Sequence, residues 1–419
     1  MIPVLPKATW GLLAVIGLSS LGTGMTLPFE MIYLHQVRGL SLSHAGFTLA
    51  LSTVAAFAVN YVGGVLCDRI GARPTMALGL VVEGCGVLAL AHVTEFWHAL
   101  AAVVVTGVGG GVAWPAQDAM IATTVPEGCR SAAFGIRHAA LNAGLGVGGL
   151  LAAVITQGGG VASYVTLFFL DAATFLLAAV ALWFLNQGPA DARPAPEAPG
   201  AATGGGYRAV LRDATFLRLW LIVFLLAAAG YAQLYSAVPA YLLGEGFGPG
   251  IMGVFSAVNA VTVVIAQIAV LKFIDGRRRT SLITVLCALW STAWIALVIA
   301  ASSPGPAAVA LVITAAAVFA VGETLLPTSA PVLVNAIAPE AMRGRYNGLT
   351  ASAFTLGGFV GTAEAGLVLS GGHGRLHFVA CIGIFAIVAV LALHTGKRLP
   401  STVNLGQTTL DTAKGLSSC

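Results

Sequence analysis

Charge is what this sequence has least of. Asp, Glu, Lys and Arg together make up 9% of its 419 residues, where a soluble domain carries about 25%. So few charges cannot solvate a globular surface, and with 58% hydrophobic residues and a mean hydropathy of +0.92 the chain is an integral membrane protein. Cysteine is sparse too. The six residues are scattered, mostly inside apolar runs, with neither a disulfide framework nor metal-ligand spacing. Gly107, Gly109, Gly110 and Gly111 imitate a phosphate-cradling loop, but no Lys-Ser/Thr follows and they sit in an apolar run. Close helix packing explains them better. No nucleotide loop, nucleophile elbow or metal cluster is present, so an enzyme is disfavoured, no cofactor is implied, and primary pumping would need another subunit. The net charge of +4 is spread over short loops, so topology accounts for it and nucleic acid is not the expected partner. Lys7 leads into a run too long for the apolar core of a cleavable signal.

What is there is length of apolar chain. Twelve runs, at about 8–35, 44–66, 74–92, 97–124, 131–156, 161–185, 216–243, 249–272, 281–302, 306–337, 343–369 and 375–395, are each long enough to cross a bilayer as a helix. We number them spans 1 to 12. Pro28, Pro115, Pro239 and Pro327 are expected to bend spans 1, 4, 7 and 10. Eighteen of the 20 basic residues fall before span 1, after even spans, or just inside helices entering from that side; only Arg38 and Arg375 lie opposite. Both termini are therefore expected in the cytoplasm, in a cell inner membrane.

The Pro/Gly-rich stretch from Asn186 to Asp213 cannot build a packed core. The expected organisation is an N-terminal six-helix bundle over 1–186, a cytoplasmic linker over 187–213, a second bundle over 214–398 and a polar, disordered tail over 399–419. The halves repeat. Pro126-Glu127-x-x-Arg130 reappears as Pro339-Glu340-x-x-Arg343, and at that same offset Gly135, Gly144 and Gly148 fall on Gly348, Gly357 and Gly361. A second offset aligns Gly46, Asn60 and Asp68 with Gly253, Gln267 and Asp275. Two similar bundles joined by a linker suit rocking about a central site.

Between spans 2 and 3 runs Gly64-x-x-x-Asp68-Arg69-x-Gly71-x-Arg73, a charged turn in which Gly71 can take φ > 0. This motif resembles the span 2–3 signature of the major facilitator superfamily, although Pro74 stands where that family often has a further basic residue. Asp275-Gly276-Arg277-Arg278-Arg279 resembles its weaker echo between spans 8 and 9. The resemblance covers essentially the whole chain. It implies an all-α fold with spans 1, 4, 7 and 10 around a central cavity, spans 2, 5, 8 and 11 between the bundles, and the other four as scaffold. The glycine series Asn142-x-Gly144-x-Gly146-x-Gly148-Gly149 is similar to that of the drug:proton antiporter branch, with Leu145 in place of its proline; in span 4, Val103 and Thr106 replace the branch's Arg and Gln. Pro28-Phe29-x-x-x-Tyr33-Leu34 and Gly322-Glu323-x-x-x-Pro327 resemble a subgroup of bacterial multidrug exporters.

The resemblance implies that Asp68 latches against the first turn of span 11, near Met342–Tyr346, where helix-end N–H groups favour an anion. Arg73 and Asp118 would hold the turn from beside it; the alternative is a solvated helix-end carboxylate. Glu323 lies near the middle of span 10, where a carboxylate faces a cavity or a partner and can carry a proton. Glu30 is either a second proton or cation site or a hydrated side chain at the outer mouth. Arg137 either snorkels to the cytoplasm or meets a carboxylate between bundles, with Asn142, Gly144 and Gly148 on the same helix. Asp171 and Glu83 are expected to be structural, and Glu364 hydrated near the outer end of span 11. Trp114, Tyr231, Gln233 and Tyr235 offer π-faces and hydrogen bonds for an amphipathic or cationic substrate, the alternative being packing. The expected function is proton-coupled efflux of small amphipathic compounds, of multidrug or antibiotic type. A proton-coupled importer and a non-transporting receptor or scaffold are the competing readings.

Overall fold

The structure, a computed structural model, describes residues 7–125, 130–185, 207–273, 277–339 and 342–405. Every regular element among them is helical, and twelve helices are long and apolar enough to span a membrane: Ala8–Val37, Leu42–Cys67, Ala72–Leu90, Phe96–Ile121, Ile136–Ile155, Val161–Phe184, Ala214–Tyr235, Gly250–Gln267, Arg279–Ala300, Gly305–Ile337, Arg345–Ser370 and Gly374–Arg398. In lipid a helix satisfies its own backbone, which is why apolar runs of this length take no other form.

The described residues form two compact units. One takes in the described part of Met1–Pro196 together with Gly246–Val261; the other takes in the described part of Glu197–Glu245 with Thr262–Ser417. The first therefore includes the N-terminal half of span 8, which the expected bundle boundary had assigned to the second. Small residues permit this. A Cβ on Gly146 would lie 2.6 Å from Ala260 Cβ, and one on Gly149 would lie 3.0 Å from Ser256 Cβ.

The linker and tail are shorter than expected at their described edges. Tyr207–Val210 is a helical turn, and Asp213 caps span 7 by accepting hydrogen bonds from the Thr215 and Phe216 N–H groups at 2.9 and 3.1 Å. After Leu399, Ser401–Leu405 forms another turn. It buries Asn404, whose Oδ1 accepts from the Thr280 N–H at 3.1 Å and so satisfies the first turn of span 9. The rest of the linker and tail, the Asp275-Gly276 echo and the side chain of Asp68 lie outside the described residues.

Three of the four proline-bearing spans are interrupted. Span 1 passes through a 3-10 turn at Leu27–Phe29 and a π-helical turn at Tyr33–Val37. Span 7 has a π-helical turn at Ala227–Tyr231 and restarts after Ser236. Span 10 stops at Leu325 and restarts at Ala330. Ser236 and Ser329 hold matching backbone angles at the two restarts, and each hydroxyl donates back to a carbonyl at the break, Ala232 O at 2.6 Å and Leu325 O at 2.7 Å. Span 4 is helical through Pro115, from Phe96 to Thr124. The proline ring packs on span 2, where a Cβ on Gly63 would lie 2.8 Å from Pro115 Cγ, so a missing side chain makes room for the ring.

Candidate functional site

In the second unit, the breaks in spans 7 and 10 carry the residues of interest. Pro327 lacks an N–H, so the Glu323 carbonyl four residues back loses its helical partner. Leu326 N–H takes it up at 3.3 Å, closing the last turn before the break. Glu323 thus stands where span 10 ends its regular ladder. It is half-buried and lies within electrostatic range of both Tyr231 and Tyr235 of span 7. Behind them lies a rigid aromatic wall. Trp290 stacks on Phe319 at 4.6 Å and Tyr231 meets Trp290 edge-on at 5.4 Å. The indoles are pinned: Trp290 Nε1–H donates to Phe319 O and Trp294 Nε1–H to Ala229 O, each at 3.0 Å. Gly322 is needed beside Glu323 because a Cβ there would lie 2.6 Å from Trp290 Cδ1. The half-buried carboxyl and two phenols, backed by fully buried indoles, form a patch suited to a cationic or amphipathic molecule.

Gln233 is not on that surface. It lies two residues from both tyrosines, about 200° round the helix, and is fully buried. Its amide donates to Ala228 O at 2.6 Å and Gly361 O at 3.2 Å, and its Oε1 faces His377 Nε2 at 2.9 Å. With every polar atom held by protein, it braces the π-helical turn rather than offering groups to a substrate. Residue type alone had placed it beside the tyrosines; the two-residue spacing was the available signal against that, and only the polar partners on spans 11 and 12 carry none.

In the first unit, Asp118 pairs with Arg137 and not with Arg73. The Arg137 guanidinium also lies 4.5 Å from the Trp114 ring centroid, which engages Trp114 inside this unit. Arg73 turns the other way: its Nε donates to Leu182 O at 2.7 Å and its guanidinium lies 5.4 Å from the Trp183 ring, tying the turn to the end of span 6. The turn itself is as expected, with Gly71 at φ +91° between Leu42–Ile70 and Ala72–Leu90, and Arg69 exposed. A Cβ on Gly64 would meet nothing within 4 Å.

Gly144 and Gly148 do not face another bundle. They face span 1 of their own unit, where a Cβ on Gly144 would lie 2.7 Å from Ser20 Cβ and one on Gly148 would lie 2.9 Å from Gly24 Cα. The glycines turned toward span 8 are Gly146 and Gly149. In the second unit Gly357 and Gly361 face span 7 in the same way, a Cβ on each lying 2.8 Å from Ala227 Cβ and Ala232 Cβ respectively. The repeated glycines of the two halves therefore make equivalent contacts. Asn142 is buried and donates to His138 O at 3.0 Å. Gly107, Gly109 and Gly111 are helix-packing glycines, as expected, set against Ser52, Glu83 and Ala56.

Asp171 is buried and accepts the Thr26 hydroxyl at 2.6 Å, the structural hydrogen bond expected of it. Glu30, half-buried on the short helical segment between the two irregular turns of span 1, and Glu83 both lie within electrostatic range of Asp171. Tyr33 donates to Leu90 O at 2.8 Å and accepts from Arg38 Nε at 2.7 Å, so the C-terminal end of span 1 is tied to the end of span 3.

Residues 12–362 match the family model of the Major Facilitator Superfamily. An uncharacterized MFS-type transporter of Bacillus subtilis, YttB, is 25% identical over 95% of this chain and 97% of its own. A Na(+), Li(+), K(+)/H(+) antiporter of Planococcus maritimus is 26% identical over 87% of this chain and 90% of its own. The fold matches the crystal structure of a D-xylose-proton symporter with a TM-score of 0.73 and 18% identity, over 94% of this chain and 98% of that one. The chain is a multi-pass secondary transporter and belongs to the major facilitator superfamily.

Proposed function

We propose that this transporter exports small amphipathic, preferentially cationic compounds across the inner membrane in exchange for protons, by alternating access. The observation that carries the reading is the placement of Glu323. It stands where span 10 loses its regular ladder, within electrostatic range of two phenols of span 7 that are backed by pinned, buried indoles. A carboxyl there can hold a proton or a cation but not both, and that competition is sufficient for exchange. The antiporter among the relatives supports proton exchange as the energy source; the fold shared with a symporter supports alternating access but not direction. Tyr231, Tyr235 and Glu323 are the proposed substrate-binding residues, with Glu323 the carrier and Glu30 a second site in the other unit. Asp68 is the proposed latch, with Gly64, Arg69, Gly71 and Arg73 shaping its turn. Both termini are proposed to be cytoplasmic.

Purified protein in proteoliposomes tests this. A fluorescent lipophilic cation should accumulate uphill when an imposed pH gradient drives exchange, and Glu323→Gln should abolish uphill movement while cation binding stays measurable. If the Gln variant still pumps, Glu323 is not the carrier. If wild-type protein moves the cation only down its own gradient, proton coupling is wrong.

A further inference from the structure

On the side of span 7 away from Tyr231 and Tyr235, Gln233, Glu364 and His377 form a chain across spans 7, 11 and 12. The hydrogen-bond directions in it can be assigned. The Gln233 nitrogen sits on two backbone carbonyls, Ala228 O and Gly361 O, at 2.6 and 3.2 Å. Exchanging its amide nitrogen and oxygen would set an oxygen against both carbonyls, so the amide orientation is determined. Oε1 must then face His377 Nε2, at 2.9 Å, and because Oε1 only accepts, Nε2 carries a hydrogen. The other ring nitrogen, Nδ1, lies 3.2 Å from Glu364 Oε1. With Nε2 protonated, a neutral ring would point the Nδ1 lone pair at a carboxylate oxygen. A proton between the two resolves this. His377 is 1% exposed and Glu364 is 47% exposed. Imidazole is the stronger base of the two groups, so the shared proton resides on Nδ1.

We propose that His377 and Glu364 form a proton-binding site of the second unit, linked through Gln233 to the π-helical turn that carries Tyr231. Half-exposed Glu364 is the point of proton entry and exit. When the proton leaves, the Nδ1 lone pair and the carboxylate oxygen oppose each other, and the pair separates. The strain passes to Gln233, whose side chain holds Ala228 O inside the Ala227–Tyr231 turn. The other groups near the ring do not replace this partner: Cys381 Sγ is 3.8 Å from Nε2, and Arg375 is directed to Glu245 at 3.8 Å. The site deepens the proton-exchange reading and rests on it for its role in transport, although proton binding itself does not.

The test has two arms. In detergent-solubilised full-length protein with 15N-labelled histidine, the His377 resonances are assigned by their loss in His377→Gln. At pH 7 wild-type His377 should show both ring nitrogens protonated, and Glu364→Gln should leave only Nε2 protonated, since the half-exposed Gln folds in place and its amide donates to Nδ1. A His377 signal unchanged by Glu364→Gln overturns the site. In proteoliposomes, Glu364→Gln should cut uphill cation transport at least about tenfold while changing downhill flux less than about twofold; equal losses in both fluxes also overturn it. If wild-type protein shows no proton-driven transport, the exchange reading fails, and the 15N result then decides the site alone.

Discussion

Asp118 and Arg137 permit an asymmetric prediction. The two form one ion pair but do not occupy equivalent places: the Arg137 side chain is 7% exposed and that of Asp118 44%. Arg137 Nε and Nη2 are buried without a hydrogen-bond partner, so the guanidinium relies on Asp118 and on the Trp114 ring for compensation. Removing Asp118 strands a buried cation. Removing Arg137 leaves a carboxylate whose side chain is nearly half exposed. Breaking a fully buried pair costs about 3–5 kcal/mol, and solvent screening at the exposed Asp118 reduces that. Asp118→Ala should therefore destabilise the protein by about 1–2 kcal/mol. Arg137→Met keeps an apolar stem on Trp114 and should cost less than about 1 kcal/mol. The double variant should be no worse than Asp118→Ala alone, because no unpaired charge remains. The assay is denaturation of purified protein in a fixed detergent at low and high salt. Equal losses for the two single variants, or a double variant at their sum, would refute the reasoning.

Three further outcomes follow from the packing and the turn. Gly148→Leu should destabilise by about 1–3 kcal/mol, because the backbone of Gly24 cannot move aside, whereas Gly64→Ala should leave the unfolding midpoint unchanged or raised, because its Cβ meets nothing; the reverse order in a thermal-stability assay would contradict the helix faces. Gly71→Ala forces a side chain to φ +91° and should cost about 1–3 kcal/mol, read as a lower midpoint with unchanged helix content by circular dichroism. Asp68→Asn should slow transport with little loss of folded protein, since a latch matters only as a difference between states; normal transport, with cross-links still reporting both states, would remove the latch.

The spans were legible because twelve apolar runs of that length have few other fates, and Gly71 because a one-residue turn between two helices demands positive φ. The faces of the helices were less legible. In water an apolar stripe marks the buried side, but in lipid both sides are apolar, so Gly144 and Gly148 could be recognised as packing glycines without revealing that their partner is span 1. Polar pairings were hidden for another reason. Asp118 lies near both Arg73 and Arg137 in plausible topologies, and only the packed helices show that Arg73 is taken by the Leu182 carbonyl. His377 and Gln233, 144 residues apart, share no motif. The π-helical turn at Ala227–Tyr231 has no residue signature, whereas the turning of Gln233 away from the tyrosines follows from its two-residue spacing from each.

The broken helices also say where motion can be accommodated. A spanning helix can lose ladder bonds only where protein or water supplies substitutes, so breaks belong on surfaces that do not see lipid. Here the substitutes are local: Ser236 and Ser329 hydroxyls on carbonyls at the breaks, Leu326 N–H on the Glu323 carbonyl, and Gln233 across the π-helical turn. Each is a single bond that can be exchanged for one to water. Span 9, by contrast, runs unbroken from Arg279 to Ala300, and its two tryptophans donate to Phe319 O of span 10 and to Ala229 O of the π-helical turn. Under the proposed exchange, a change of protonation at Glu323 or at His377 and Glu364 would act on the segments with replaceable hydrogen bonds. A single proton, worth only a few kcal/mol, would then redirect a helix without unfolding it.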